Sequence, residues 1–216
     1  MHIPDGLLAA STLAPAWVLS AASIAYAVRK TTQKLKERMV PLMGIMSAFI
    51  FAAQMINFPV AGGTSGHLFG GVLAAVILGP YAGAIVLACV LIFQCLVFQD
   101  GGFLALGANV LNIAIAGTGG GYLTFFVTSR VIGGRKGFFA GAAIAAWFSV
   151  VLAATLCALE LALSDISPLR LVLPPLAGIH ALIGIGEAVI TTAALGFILK
   201  VRPDLIYGWE GNHQLK

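Results

Sequence analysis

The chain has 216 residues, 60% of them apolar and 9% charged, and a formal net charge of +4. A mean hydropathy of +1.01 excludes a water-soluble globular domain and a disordered chain alike. The positive charge does not point to nucleic acid, because the basic residues gather in short segments between apolar runs instead of lining one face.

The first element is the N-terminal segment 1–7, which opens Met1-His2-Ile3-Pro4-Asp5-Gly6. No basic region precedes Leu7, so the segment does not read as a cleavable secretory signal. His2 predicts a retained Met1, since initiator methionine is ordinarily removed only before small residues. The Met1 amine, the His2 backbone nitrogen and the His2 imidazole can then face one ion. Amine and amide close a five-membered chelate ring, and amide and Nδ1 close a six-membered one. A flat set of nitrogen donors suits Ni(II) or Cu(II). The competing reading is a frayed terminus with an incidental histidine. Pro4 biases Ile3 toward extended backbone, which predicts a strand-like plug folded over helix ends.

Apolar runs at 8–28, 40–57, 67–79, 81–98, 104–128, 138–162 and 175–199 predict seven membrane spans. Each span needs about 20 residues to cross the hydrocarbon core. The third run is short and ends at Gly79-Pro80, which predicts a tilted helix or one completed by irregular backbone within the bundle. The fold class expected is all-α: a polytopic helical membrane protein forming a single transmembrane domain over 1–216. The 26 glycines suit close helix packing in lipid. With the spans alternating, eleven of the twelve basic residues fall on one side and only Arg170 on the other. That asymmetry predicts an external N-terminus and a cytoplasmic C-terminus.

This topology also places the segment 58–67 outside, where His67 joins His2 on one membrane face. Taken alone, His67 reads as a structural histidine at a helix start; paired with an external Met1-His2, one of its imidazole nitrogens would fill the remaining in-plane position of the chelate. The glycines of Gly62-Gly63-Thr64-Ser65-Gly66 let backbone pass close to an ion. Asp5, Thr64 and Ser65 are candidates for supporting hydrogen bonds. The acids expected outside, Asp5, Asp100, Glu160 and Asp165, either draw a dication toward the site or merely mirror the depletion of bases there.

Polar residues within the spans are further candidates. Asn109 and Asn112 share a helix face, and either support the loops around the ion or hydrogen-bond to neighbouring helices. His180 and Glu187 share another face. They read as a buried pair, or Glu187 as a contact to a partner subunit, with neither a ligand. Gly44, Ala48 and Ala52 form a small-residue stripe for close packing or subunit contact. Cys89, Cys95 and Cys157 lie in apolar runs and read as buried hydrophobes.

The MHIPDG start resembles the CbiM/NikM family of nickel/cobalt substrate-binding membrane subunits of energy-coupling factor transporters. The likeness continues through Gln54–Val60, Gly62–His67, Leu78–Pro80, Gln99–Asn109 and Gly184–Thr191, and so covers nearly the whole chain. The resemblance implies that Met1, His2 and His67 are the metal ligands and that Ni(II) or Co(II) is the transported substrate, with no catalytic cofactor. It implies a six-helix substrate-binding core with one extra N-terminal helix, in the cell membrane of a prokaryote. It also implies a transmembrane coupling subunit, two cytoplasmic ABC-type ATPases and a small accessory membrane subunit, here expected as a separate polypeptide.

Two other readings exist. Gly63-Thr64-Ser65-Gly66 matches the short G-x-S-G pattern of rhomboid-type intramembrane serine proteases, with His180 as base, but leaves the N-terminal histidine unexplained. A self-sufficient channel or secondary transporter could use Glu187 and His180, although no row of acids follows a pore. The glycine-rich 117–121 and 133–137 lack the lysine and hydroxyl spacing of a phosphate-binding loop, so the chain is not expected to hydrolyse ATP.

Overall fold

A computed structural model describes residues 2–34, 37–60 and 64–208, without the side chains of 57–60 and 64–65. Within it, α1 (Ala10–Thr32) and α2 (Met39–Gln54) lead into a two-stranded antiparallel ribbon. The ribbon is β1 (Asn57–Val60) and β2 (Thr64–His67), with Asn57 opposite His67 and Phe58 opposite Gly66. There follow α3 (Gly71–Leu78) and α4 (Pro80–Phe98). Next come α5 (Leu106–Ile132), α6 (Gly134–Leu163) and α7 (Leu169–Val201). Residues Val110–Gly117 of α5 wind as a π-helix.

The bundle is helical as its composition predicts, but the predicted 58–67 loop is largely this ribbon. Five helices, α1 and α4–α7, are long and apolar enough to cross a membrane. The others are shorter than a full span: α2 has 16 residues and α3 has 8. Three boundaries differ instructively from expectation. The third run is helical only from Gly71, because Leu68–Gly70 is held by side chains described below. The fifth extends to Ile132 and stops at Gly133, whose φ of +72° breaks the helix. The seventh begins at Leu169, ahead of Pro174 and Pro175. Both prolines lie in the second turn, where each lacks the N–H that would bond the carbonyl four residues back.

Every residue of α3 is buried. It packs against α2, α4, α5 and α6, which explains why so short a segment needs no amphipathic pattern. Gly79 joins it to α4 at a φ of +87°, a conformation a side chain would strain, and Pro80 then opens α4 where no N–H is required. A second, smaller core surrounds the N-terminal segment: Ile3, Leu8 and Ala16 meet Ala105 and Ala108 of the α5 start, Cys157 and Leu161 of α6, and Leu176 of α7. Outside, large apolar side chains such as Leu19, Val131, Leu163, Leu182 and Phe197 are exposed along the helices, as a lipid-facing surface requires.

Candidate metal centre

The N-terminal segment is tied into the bundle by side chains far away in sequence. The Asn109 carboxamide pairs with both backbone groups of Ile3: Ile3 N donates to Oδ1 at 2.8 Å, and Nδ2 donates to Ile3 O at 3.1 Å. Gly102 N donates to the same Ile3 oxygen at 2.9 Å. Two residues on, the Asp5 carboxylate accepts from Phe103 N (2.9 Å), Leu104 N (2.8 Å) and Ala105 N (3.1 Å). These N–H groups lie just ahead of α5, where backbone donors have no helical acceptor and a carboxylate is stabilised. Gly102 is required for this approach, because a Cβ there would overlap the Asp5 carboxylate.

The other half of the site is fixed in the same way. Glu187 of α7 accepts from Phe69 N at 2.7 Å and from Gly70 N at 2.6 Å. Gln54 Nε2 of α2 donates to Phe69 O at 2.8 Å. The backbone following His67 is thereby held from two helices. Glu187 thus serves neither as a partner for His180 nor as an outward contact. Its role within the chain is to hold this turn.

These two anchored segments bring His2 and His67 face to face. Their rings stack with centroids 4.6 Å apart and planes 17° apart. They are 4% and 3% exposed. His67 Nδ1 lies 2.6 Å from Leu68 O, so that nitrogen carries the proton and Nε2 presents a lone pair. His2 Nδ1 lies 3.1 Å from Asp100 Oδ1. The Nε2 atoms of both rings have no hydrogen-bond partner among the described residues. Burial holds the His67 imidazole well below its ordinary value of 6.5. It also lowers His2, against the opposing pull of Asp100. Both shifts favour the neutral ring, the state in which imidazole ligates a metal.

Met1 lies outside the described residues. Among those described, no three His, Cys, Asp or Glu side chains converge as a ligand group. Side chains thus supply two imidazoles, and a four-nitrogen set is completed only through backbone nitrogen. Rings stacked face to face cannot both aim an in-plane lone pair at one point, so sharing an ion would require them to turn. His180 stays apart: its Nδ1 lies 2.8 Å from Leu176 O of its own helix. Asn112 donates to Glu160 at 2.6 Å, so Glu160 is engaged within the bundle and is not a free external acid. Of the acids expected to draw a cation, Asp100 is the one beside the histidine pair. Gln54 and Gln94 also belong to the surroundings of the site. Each is a fully buried carboxamide in an apolar helix, and that anomaly was the available signal.

A helical membrane bundle with two buried imidazoles in contact beneath an anchored N-terminus is compatible with a metal-handling membrane protein. The family model described as "cobalt uptake substrate-specific transmembrane region" matches residues 2–205. The chain belongs to this CbiM family and is a membrane component of cobalt or nickel transport. It is 44% identical to a protein of Archaeoglobus fulgidus named as a fused nickel transport protein, NikMN, over 95% of this chain and 68% of the relative. A metal transport protein of Haloquadratum walsbyi is 38% identical over 100% of this chain and 97% of its own length. A solved structure described as a transition metal transporter superposes with a TM-score of 0.88 at 33% identity, covering 93% of each chain. A truncated form gives 0.87, covering 93% of this chain and 99% of the other.

Proposed function

We propose that the chain is the substrate-binding subunit of an ATP-driven energy-coupling factor importer for Ni(II) or Co(II), in the cell membrane of a prokaryote. The ion is captured by the Met1 amine, the deprotonated His2 amide, the His2 imidazole and the His67 imidazole. The observation that carries this reading is the contact between His2 and His67, two buried rings on separately anchored segments. Seven spans, with α2 and α3 completed by the adjoining non-helical backbone, put the N-terminus outside and the C-terminus inside. A coupling subunit, two cytoplasmic ATPases and a small accessory subunit complete the importer, and ATP hydrolysis there reorients this chain to release the ion inward. Four planar nitrogens favour Ni(II), and an axial donor would favour Co(II).

Nickel titration of the purified protein beside a variant with one residue inserted after Met1 tests the chelate. Binding at one ion per chain with a square-planar absorption band is expected, lost in the insertion variant and in His67→Ala. An insertion variant with unchanged stoichiometry, affinity and spectrum would overturn it.

A further inference from the structure

Gln94 sits near the end of α4 with no exposed surface, among Val90, Leu91 and Cys95. Neither its Oε1 nor its Nε2 has a hydrogen-bond partner among the described residues. An unpaired carboxamide in an apolar interior is a costly placement, and a leucine would fill the same space without that cost. Its surroundings indicate what it serves. The backbone oxygen of Gln94 accepts from Asp100 N at 3.1 Å, which fixes Asp100 to the same helix end. Asp100 Oδ1 is the atom 3.1 Å from His2 Nδ1, and the Gln94 carboxamide is a polar neighbour of that same ring. His2 is thus flanked by two polar groups from the end of α4, Asp100 beside Nδ1 and the Gln94 carboxamide, which reaches the ring without closing a hydrogen bond of standard geometry.

The chelate described above takes His2 through Nδ1, because only that nitrogen closes the six-membered ring with the His2 amide. The proton of the neutral ring then resides on Nε2, which faces away from the ion into a buried region. Metal-bound histidines almost always donate this second N–H to a carbonyl or carboxylate, which fixes the tautomer and the ring plane. We infer that Gln94 is the positioning residue for His2: its Oε1 accepts the Nε2–H when Nδ1 turns from Asp100 onto the ion. This assignment rests on the ligand set proposed above.

The test pairs nickel titration and visible absorption with melting of the metal-free protein, on the full chain in detergent. Gln94→Leu and Gln94→Met remove the acceptor while keeping volume, and Gln94→Glu keeps an acceptor. Both apolar variants are expected to melt at or above the unmodified protein without metal, yet to bind Ni(II) about 10–100-fold more weakly with an altered absorption band. Gln94→Glu should restore most of the affinity. Wild-type affinity and an unchanged band in both apolar variants would overturn the inference. So would a parallel loss of affinity and metal-free melting temperature, the mark of a packing role. His67→Ala, measured alongside, separates the two failures. If it binds Ni(II) normally, the ligand set is wrong. If it does not while Gln94→Leu does, only the role of Gln94 falls.

Discussion

Asn109 does the work of a missing strand. Its carboxamide offers one acceptor and one donor at the spacing of a backbone amide pair, and Ile3 uses both. Aspartate at this position keeps the acceptor for Ile3 N but loses the donor, and alanine loses both. Asn109→Ala should therefore weaken nickel binding by about 10–100-fold, with Asn109→Asp intermediate, by calorimetric titration. Equal affinity in all three proteins would show that the Ile3 pairing does not control the site. At this scale the sequence was half legible. His2 and His67 stand out because a second-position histidine and a glycine-flanked one carry recognisable chemistry. Asn109 and Asn112 share a face but not a role, since one meets Ile3 and the other Glu160. Spacing cannot separate those fates, because each depends on which element packs against that face.

The helices show why span-scale reading succeeds and boundary-scale reading does not. Every predicted apolar run contains a helix, because an apolar backbone in lipid must satisfy its own hydrogen bonds. The end of α3 at Gly79-Pro80 was legible, but its start was hidden because it is set by Glu187, more than a hundred residues downstream. That contact predicts a large effect from a residue that touches neither histidine ring. Glu187→Ala leaves two buried N–H groups without their acceptor, at about 1–3 kcal/mol each. It should lower the detergent melting temperature markedly and loosen the turn carrying His67. Glu187→Gln, with one carbonyl oxygen left, should lose roughly half as much. A melting temperature unchanged in Glu187→Ala would mean that water or another group replaces the carboxylate without loss.

For the molecule as a whole, the proposed external capture depends on sidedness, and what supports that sidedness is the distribution of charge. The tips near Lys34 and Lys200 carry the basic residues, whereas the turn at Asp165 between α6 and α7 lies at the opposite end of both helices. In a background with Cys89, Cys95 and Cys157 replaced by serine, single cysteines at Lys34, Asp165 and Lys200 should separate cleanly. A membrane-impermeant maleimide applied to intact cells should label the Asp165 position alone, and the other two only after permeabilisation. The reverse pattern would place the histidine pair on the cytoplasmic side and rule out external capture.

The clamp on Ile3 also acts as a gauge of register. If the N-terminal segment slid inward by one residue, His2 would have to occupy the slot in which Ile3 is wholly buried against apolar neighbours. Sliding the other way would bring Pro4 opposite Asn109, and proline has no N–H to donate to Oδ1. Asp5, bound to three consecutive N–H groups, would lose its place in either shift. Slippage therefore cannot carry His2 away from His67. The Asn109 carboxamide and the Asp5 carboxylate together fix the register of the segment, and that register is what keeps the His2 ring against His67.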